Sequence, residues 1–347
     1  MICVYKFRVK NNIKILNKWA KVSNFVWNYC NETQKIAVKR DRKFFTGFDL
    51  NKLTAGSSKE LGISSETINS ICEQYAKSRK QHKKPWLRFR GKNNLGWVPL
   101  KGRAIKFEKD CFVFYGNTFK VFLSRDIPVG TKFKDGTNFS QDAKGNWYLN
   151  LCLEILENKR VETKKAIGID LGLKDFAAFS NGEKIEAPRI FRKSEEKIAK
   201  AQRANKKRLV ISLHTKIKNQ RKDFQHKLSN RIVREFDHIA IGDVSSSRLV
   251  KTNMAKSVYD AGWSQFRQML AYKSVREGAN YIEVSEYFTT QTCAVCGCIA
   301  GPKGQAGLNK REWVCECGSV NDRDQNSALL ILLRSGHRTP VQGIPFL

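Results

Sequence analysis

The spacing of apolar residues along this chain changes several times, and each change marks an element. Residues Ile2 to Val9 alternate as a strand, with Cys3, Tyr5 and Phe7 on one side and Ile2 and Val4 on the other. From Ile13 the spacing lengthens to three and four, so Ile15, Trp19, Val22, Val26 and Tyr29 or Cys30 predict a helix to about Val38. Ser64-Ser65 predicts the cap of another helix, with Ile68, Ile71, Cys72 and Tyr75 on one face. After Gly91 the runs are short and alternating again. Lys106 to Tyr115, Phe119 to Leu123 and Trp147 to Glu154 read as strands, joined by turns at Gly116-Asn117 and Lys144-Gly145-Asn146. With the first strand they predict a small β-barrel interrupted by a helical insertion.

The second half begins with Ile167-Gly168-Ile169-Asp170-Leu171-Gly172, an apolar strand that ends in a carboxylate. Lys174 to Ser180 reads as its partner strand, turning at Asn181-Gly182. Arg189 to Arg234 predicts one or two long helices with a thin apolar seam at Ile198, Ala201, Leu209, Leu213, Ile217, Phe224 and Leu228. His238 to Val244 is a further buried strand, Ala255 to Glu277 a helix, and Asn280 to Tyr287 a strand; Ala328 to Leu333 is an apolar helix entered from a polar loop. Lys159 to Lys165 reads as the polar link between the halves.

A carboxylate at the end of a buried strand is costly unless a cation neutralises it, and oxygen ligands suit a divalent metal. Strand, acid and hairpin therefore suggest a ribonuclease-H-like nuclease core around Asp170. Sugar kinases and actin-like ATPases open with a similar strand, and a lone aspartate here also reads as a turn residue.

Charge narrows the partners. The 347 residues carry 64 Lys+Arg against 32 Asp+Glu, a formal net charge of +32 that asks for a polyanion. Seven Trp and 21 Phe show that the chain folds rather than behaving as a basic tail. No long apolar run or signal peptide is evident, so nucleic acid is expected rather than a membrane, in the cytoplasm or at the nucleoid. Lys83, Lys84, Arg88 and Arg90 interleave with Trp86 and Phe89, as a phosphate-contacting segment would; a solvated linker is the plainer alternative. Lys197, Lys200, Arg203, Lys207 and Arg208 give the helical arm a basic face that fits along a duplex backbone.

Of ten cysteines, Cys3, Cys30, Cys72, Cys111 and Cys152 are scattered and read as reduced core residues. The other five crowd together. Cys293-x2-Cys296 and Cys315-x-Cys317 form two knuckles around a loop containing Gly301, Gly304 and Gly307, which predicts a closed, structural S4 zinc site with Cys298 as a spare. Directly after it, Asp324 stands where the loop enters the last helix. It is either a helix cap or a second metal-binding acid.

The segments IGIDLGLKDFAAFSNG, MAKSVYDAGWSQFRQMLAYK, TCAVCG with WVCECG, and DRDQNSA, in this order, resemble the RuvC domain of the TnpB family of RNA-guided endonucleases, relatives of Fanzor and of type V CRISPR effectors. The resemblance covers residues 164–333 and, more loosely, the layout before them. It implies an α+β multidomain fold: a β-barrel (wedge) domain over 1–12 and 91–160, a helical recognition domain over 13–90, a RuvC α/β core over 164–286 and 320–334, an inserted zinc ribbon over 287–319, and a tail over 335–347. It implies a monomer that carries a guide RNA from the transposon end and cuts double-stranded DNA beside a short motif, with Mg2+ or Mn2+ at the RuvC site and a structural Zn2+.

Asp170 matches the family's first catalytic acid and Asp324 its third. The second is missing, since Gly242 stands where the family has a glutamate. Either cutting has been lost, leaving an RNA-guided repressor, or the acid comes from elsewhere. Glu286 is the expected donor, because by period two it shares the face of Ile282 and Val284, whereas Glu283 falls on the other face. Asp170, Glu286 and Asp324 are thus the expected catalytic and Mg2+-binding residues.

Overall fold

The structure, a computed structural model, describes residues 2–91, 94–127, 130–155, 163–244, 251, 253–303, 307 and 310–337. The link over 159–162, Gly304 and the tail beyond residue 337 lie outside them. The chain divides into two compact units, Met1–Ile155 and Leu156–Leu347.

The first unit contains β1 (Ile2–Val9), α1 (Ile13–Asp41), α2 (Gly47–Leu53), α3 (Ser58–Leu61), α4 (Ser65–Gln81), β2 (Trp97–Pro99), β3 (Ile105–Glu108), β4 (Cys111–Phe114), β5 (Asn117–Phe122), β6 (Asn138–Gln141) and β7 (Trp147–Glu154). Its strands form one antiparallel sheet in the order β2-β6-β7-β1-β5-β4-β3. Phe7, Phe112, Phe119, Phe139 and Trp147 fill the core, joined by Leu16 and Trp19 of α1 and by Ile68, Ile71 and Tyr75 of α4. Of the two helical candidates at the end of the α1 stripe, Cys30 is buried and Tyr29 exposed.

Three details depart from the sequence reading. Lys106 to Tyr115 is a hairpin rather than one strand: Lys109 and Asp110, at φ 47° and 61°, reverse the chain so that Glu108 pairs with Cys111. A two-residue turn keeps the alternation in phase, which is why it reads straight through. Ser64 stands at the N-cap of α4 but makes no side-chain cap bond. The capping box in this unit belongs instead to α2, where Thr46 and Asp49 satisfy each other's backbone N–H. Cys3 and Cys111, expected in the core, are only half-buried, unlike Cys30, Cys72 and Cys152.

The second unit contains β8 (Ala166–Leu171), β9 (Asp175–Phe179), β10 (Lys184–Glu186), α5 (Glu195–Arg203), α6 (Lys207–Glu235), β11 (His238–Gly242), α7 (Ala255–Ala261), α8 (Trp263–Glu277), β12 (Asn280–Val284), β13 (Glu312–Val314), β14 (Val320–Asp322) and α9 (Arg323–Arg334). A five-stranded sheet runs β10-β9-β8-β11-β12, with β8, β11 and β12 parallel and β9 and β10 antiparallel to their neighbours. Ile167, Ile169 and Leu171 point to one face, where they meet Leu228 and Ile232 of α6 and Phe266 and Leu270 of α8. On the other face Ala240 and Val284 pack on Ile331 and Leu332 of α9. Gly168 lets α9 come close: a Cβ there would stand 2.0 Å from the Ala328 carbonyl oxygen.

The basic arm is two helices, broken at residues 204–206, and the expected helix from Ala255 to Glu277 is also two. Gly262, at φ 65°, ends α7, and the Gln225 side-chain amide donates to the Ala261 and Gly262 carbonyls there.

One charge is buried between α6 and α8. The Lys273 ammonium donates to the His226 carbonyl and the Ser229 hydroxyl, at 3.0 and 2.6 Å. Burial, then Arg276 and Arg234, pull its pKa down to about 8. A lysine whose folded pKa is depressed destabilises the fold while both states are charged, and that penalty fades as pH rises from about 8 toward the unfolded value near 10.5. Lys273→Met should therefore raise the melting temperature at pH 7, by about 1 kcal/mol of stability. The gain should shrink on titration to pH 10, as read by thermal denaturation.

Candidate functional site

Parallel pairing of β8, β11 and β12 brings three chain positions to one end of the sheet. Asp170 is the penultimate residue of β8 and lies on the α9 face, because Ile169 and Leu171 take the other. Ile169 pairs with Ile241, so Gly242 follows beside Asp170, and on its far side Gly242 pairs with Val284. Glu286 lies two residues past the end of β12. Its side chain turns back over Gly242: a Cβ on residue 242 would stand 1.8 Å from Glu286 Oε1 and 2.5 Å from its Cγ and Cδ. The carboxyl of Glu286 thus occupies the space in which a side chain at 242 would begin. Asp243 fixes that turn, accepting the Glu286 N–H at 3.1 Å while its own N–H goes to the Val284 carbonyl.

Asp324 comes from α9, but not as its cap. Asp322 caps the helix, accepting from the N–H groups of Asp324 and Gln325 and pairing with Lys184 at 2.6 Å. That leaves the Asp324 carboxylate, in the first turn, free to face the sheet, where it is ion-paired to Arg311 and, at 3.3 Å, to Arg323. The sequence analysis does not single out these two arginines: Arg323 stands next to Asp324 in the chain and could have been noticed there, whereas Arg311 lies 13 residues before it and no spacing marks it. Glu283 is elsewhere, paired with Arg267 at 3.2 Å and accepting from the Tyr281 hydroxyl.

The electrostatics show two carboxyls, Asp170 and Glu286, that resist ionisation. Burial pushes Asp170 well above the usual carboxylate range, Glu286 and then Asp324 push it further, and Arg323 and Arg311 oppose them. Burial, followed by the charge of Asp243, pushes Glu286 up to about 7. Glu286 Oε1 is buried with no hydrogen-bond partner. Acids held this way cost stability unless a cation arrives, and their hard oxygens fit a divalent ion.

Four cysteine sulfurs form a second group. The Sγ atoms of Cys293, Cys296, Cys315 and Cys317 all lie within 4.8 Å of one another. Cys296 and Cys315 stand 3.5 Å apart, and Cys293 and Cys317 3.9 Å. Tetrahedral ligands about 2.3 Å from a zinc ion would be about 3.8 Å apart, so the donor set and spacing fit that metal. Cys298 is exposed and outside the group. Its carbonyl accepts the Cys293 N–H, which shapes the first knuckle.

The basic candidates fall into two kinds. In the first unit Lys83, Lys84 and Arg88 are exposed, and Trp86 and Phe89 are 37% and 50% exposed. Arg90 is turned inward, its guanidinium 4.8 Å from the Trp27 ring and 4.9 Å from the Trp97 ring. Asn31 and Asn28 bind the backbone N–H and carbonyl of Leu87 and Arg90, respectively, so this segment is stapled to α1 rather than being a loose linker. In the second unit Lys197, Lys200, Arg203, Lys207 and Arg208 are all exposed, with Lys200 paired to Glu196.

Residues 150–253 match a family described as a probable transposase of the OrfB, IS605 type, and residues 263–331 match the Cas12f1-like TNB domain. A protein of Streptomyces pristinaespiralis, whose name proposes an RNA-guided DNA endonuclease, is 37% identical over 223 residues, 60% of this chain and 54% of that one. InsQ of Escherichia coli (strain K12), with a name proposing the same activity, is 28% identical over 222 residues, 56% of this chain and 54% of its own. The chain spans about half the length of these curated relatives. A solved Cas12f1 chain, from a complex with sgRNA and target DNA, superimposes with a TM-score of 0.59 at 15% identity, over 92% of this chain and 82% of that one. At that identity the likeness is one of fold, of the α+β class.

Two outcomes test the metal sites. Elemental analysis should find one zinc per chain, and Cys293→Ser or Cys315→Ser should release it and open residues 287–319 to proteases. For Glu286, a raised folded pKa means that stability is present below the ordinary value near 4.5 and lost as pH rises through about 7. In chelator at pH 8, Glu286→Gln should therefore melt higher than wild type, by about 1–3 kcal/mol. It should also lose most of the stabilisation that added Mg2+ or Mn2+ gives the wild type.

Proposed function

The chain belongs to the TnpB family, and on that premise we propose that it is a transposon-associated RNA-guided DNA endonuclease with a rearranged second catalytic acid. The observation that carries this reading is the Glu286 carboxyl lying in the side-chain space of Gly242, beside Asp170. A chain that no longer cut would gain by losing this acid, since Glu286 is half-buried, with Oε1 enclosed and unpartnered, and resists ionisation. Its retention supports a nuclease over a silent DNA-binding repressor.

In this reading the second unit is a RuvC-type, ribonuclease-H-like core, and Asp170, Glu286 and Asp324 hold two Mg2+ or Mn2+ ions. When bound, such ions supply the charge that aligns an attacking water and a leaving oxygen on a phosphodiester. The protein supplies position. Asp243 holds the Glu286 backbone, Gly168 lets α9 bring Asp324 to the sheet, and Arg311 and Arg323 orient its carboxylate. The four thiolates hold a structural zinc in the ribbon that carries Arg311.

The first unit, read as a wedge barrel with a helical recognition insertion, would grip nucleic acid through Lys83, Lys84, Trp86 and Arg88, with Arg90 bracing that segment. The exposed face of α5 and the start of α6 would follow a backbone. The partners are a guide RNA from the transposon end and a double-stranded DNA target, bound by a monomer. The net charge of +32 supports such polyanionic partners. Among the described residues no helix is long and apolar enough to cross a membrane. The cytoplasm or nucleoid is the proposed location.

The test moves the acid back. Glu286→Gln should lower cleavage by about 100-fold or more while target binding persists, because the shape is kept and the charge removed. Gly242→Glu alone should also fail, since two carboxyls then compete for one space. Gly242→Glu with Glu286→Ala should recover cutting in a guided plasmid assay. A wild type that binds its target but never cuts it with Mg2+ or Mn2+ present would return the repressor reading.

A further inference from the structure

Directly after Glu286 come two aromatic residues that, among the described residues, join no apolar cluster. Tyr287 is 70% exposed and Phe288 48%. Their rings meet edge to face, with centroids 4.8 Å apart and planes at 87°. Such a contact sets the positive edge of one ring on the negative face of the other, so each steadies its neighbour. At its exposure the Tyr287 ring keeps a face open to solvent.

Phe288 stands at φ 62°, in the left-handed region that a bulky side chain disfavours and that glycine or asparagine takes at less cost. Its surroundings hold it there. The Arg334 guanidinium donates to the Ser285 and Tyr287 carbonyls, at 3.0 and 2.7 Å, and the Gln291 and Thr292 N–H groups both donate to the Phe288 carbonyl at 3.0 Å. Beyond the rings Asn326, two residues from Asp324, donates to the Thr289 and Thr292 carbonyls at 3.3 and 2.7 Å. Both ends of the segment are therefore tied to the carboxyls, one through Glu286 and the other through the first turn of α9. A ring that is strained and exposed adds little to the fold, so its use lies in what it touches.

An open ring face takes up a flat apolar group, and the carboxyls beside it take up a phosphate once a cation is bound there. We propose that Tyr287, braced by Phe288, is the stacking platform for one base of a single DNA strand and so places the adjoining phosphodiester at Asp170, Glu286 and Asp324. Bases inside a duplex have their faces covered by neighbours, so the platform selects a strand that is already separated. Stacking accepts every base, as a nuclease whose sequence is read by pairing elsewhere requires. The inference rests on the nuclease reading for the source of the strand, but its test needs neither cutting nor a guide.

The full-length protein, in Ca2+ and with no matched guide supplied, is irradiated with single-stranded DNA carrying 5-iododeoxyuridine in place of thymidine. That base couples to an aromatic ring stacked on it, and the coupled residues are mapped by mass spectrometry. Coupling should map to Tyr287 and persist in Tyr287→Phe, which keeps the ring. Phe288→Asn, which suits the left-handed backbone, should lower it about threefold or more, the worth of one aromatic pair, with a melting temperature within about 2 °C of wild type. Chelator should lower it about tenfold, because bare carboxyls repel the phosphate. Coupling confined to other aromatic residues would overturn the platform. Coupling at Tyr287 that ignores chelator would separate the ring from the carboxyls and overturn the placing role. An RNA strand with 5-iodouridine that couples at Tyr287 in preference to DNA would overturn the choice of strand. A fall in melting temperature that accompanies the fall in coupling of Phe288→Asn would reduce Phe288 to packing and overturn its bracing role. Self-association of the wild type that Tyr287→Ala abolishes would assign the rings to a second copy of the chain instead. A wild type that never cuts DNA would leave every one of these readouts unchanged.

Discussion

The site in the second unit depends on how closely one helix approaches one strand. Gly168 offers no side chain where α9 crosses β8, and the Ala328 carbonyl fills the place where a Cβ would be. That contact sets the height of α9 above the sheet, and with it the position of Asp324 relative to Asp170. The apolar contacts of Ala240 and Val284 with Ile331 and Leu332 hold the helix at that height. A side chain at 168 would displace Asp324, 156 residues away in sequence, without changing any of the acids themselves.

Stability and chemistry pull against each other around this contact. The apolar cluster on the α6 and α8 face is large and continuous, so the sheet can bear three carboxyls crowded at one end of the other face. Two arginines moderate that crowding, and one of them, Arg311, lies in the segment between the two cysteine knuckles. Order in the ribbon and charge at the acids are therefore linked through a single side chain.

Much of this could be read from the sequence because the residues concerned lie on elements with clear periods. β1, α1, α4, β7, β8 and β11 stand where the apolar spacing put them. The two cysteine knuckles announce their own geometry, and period two placed Glu286 on the Asp170 side although β12 ends at Val284. The hairpin at Lys109 and Asp110 stayed hidden because it preserves parity, and the break at Gly262 because both helices keep the same apolar face. β2 and β6 are too short to show a period. Asp322 and Asp324 stand two residues apart, and only the backbone shows which of them caps the helix.

The fit of Glu286 over Gly242 also ties the two positions together. An acid added at 242 would press two carboxyls into one space, and a loss of Glu286 alone would leave that space empty beside Asp170. Each single step between the two placements passes through a crowded or an incomplete site. Positions 242 and 286 are thus coupled, so that exchanges tolerated together at the pair are not tolerated one at a time.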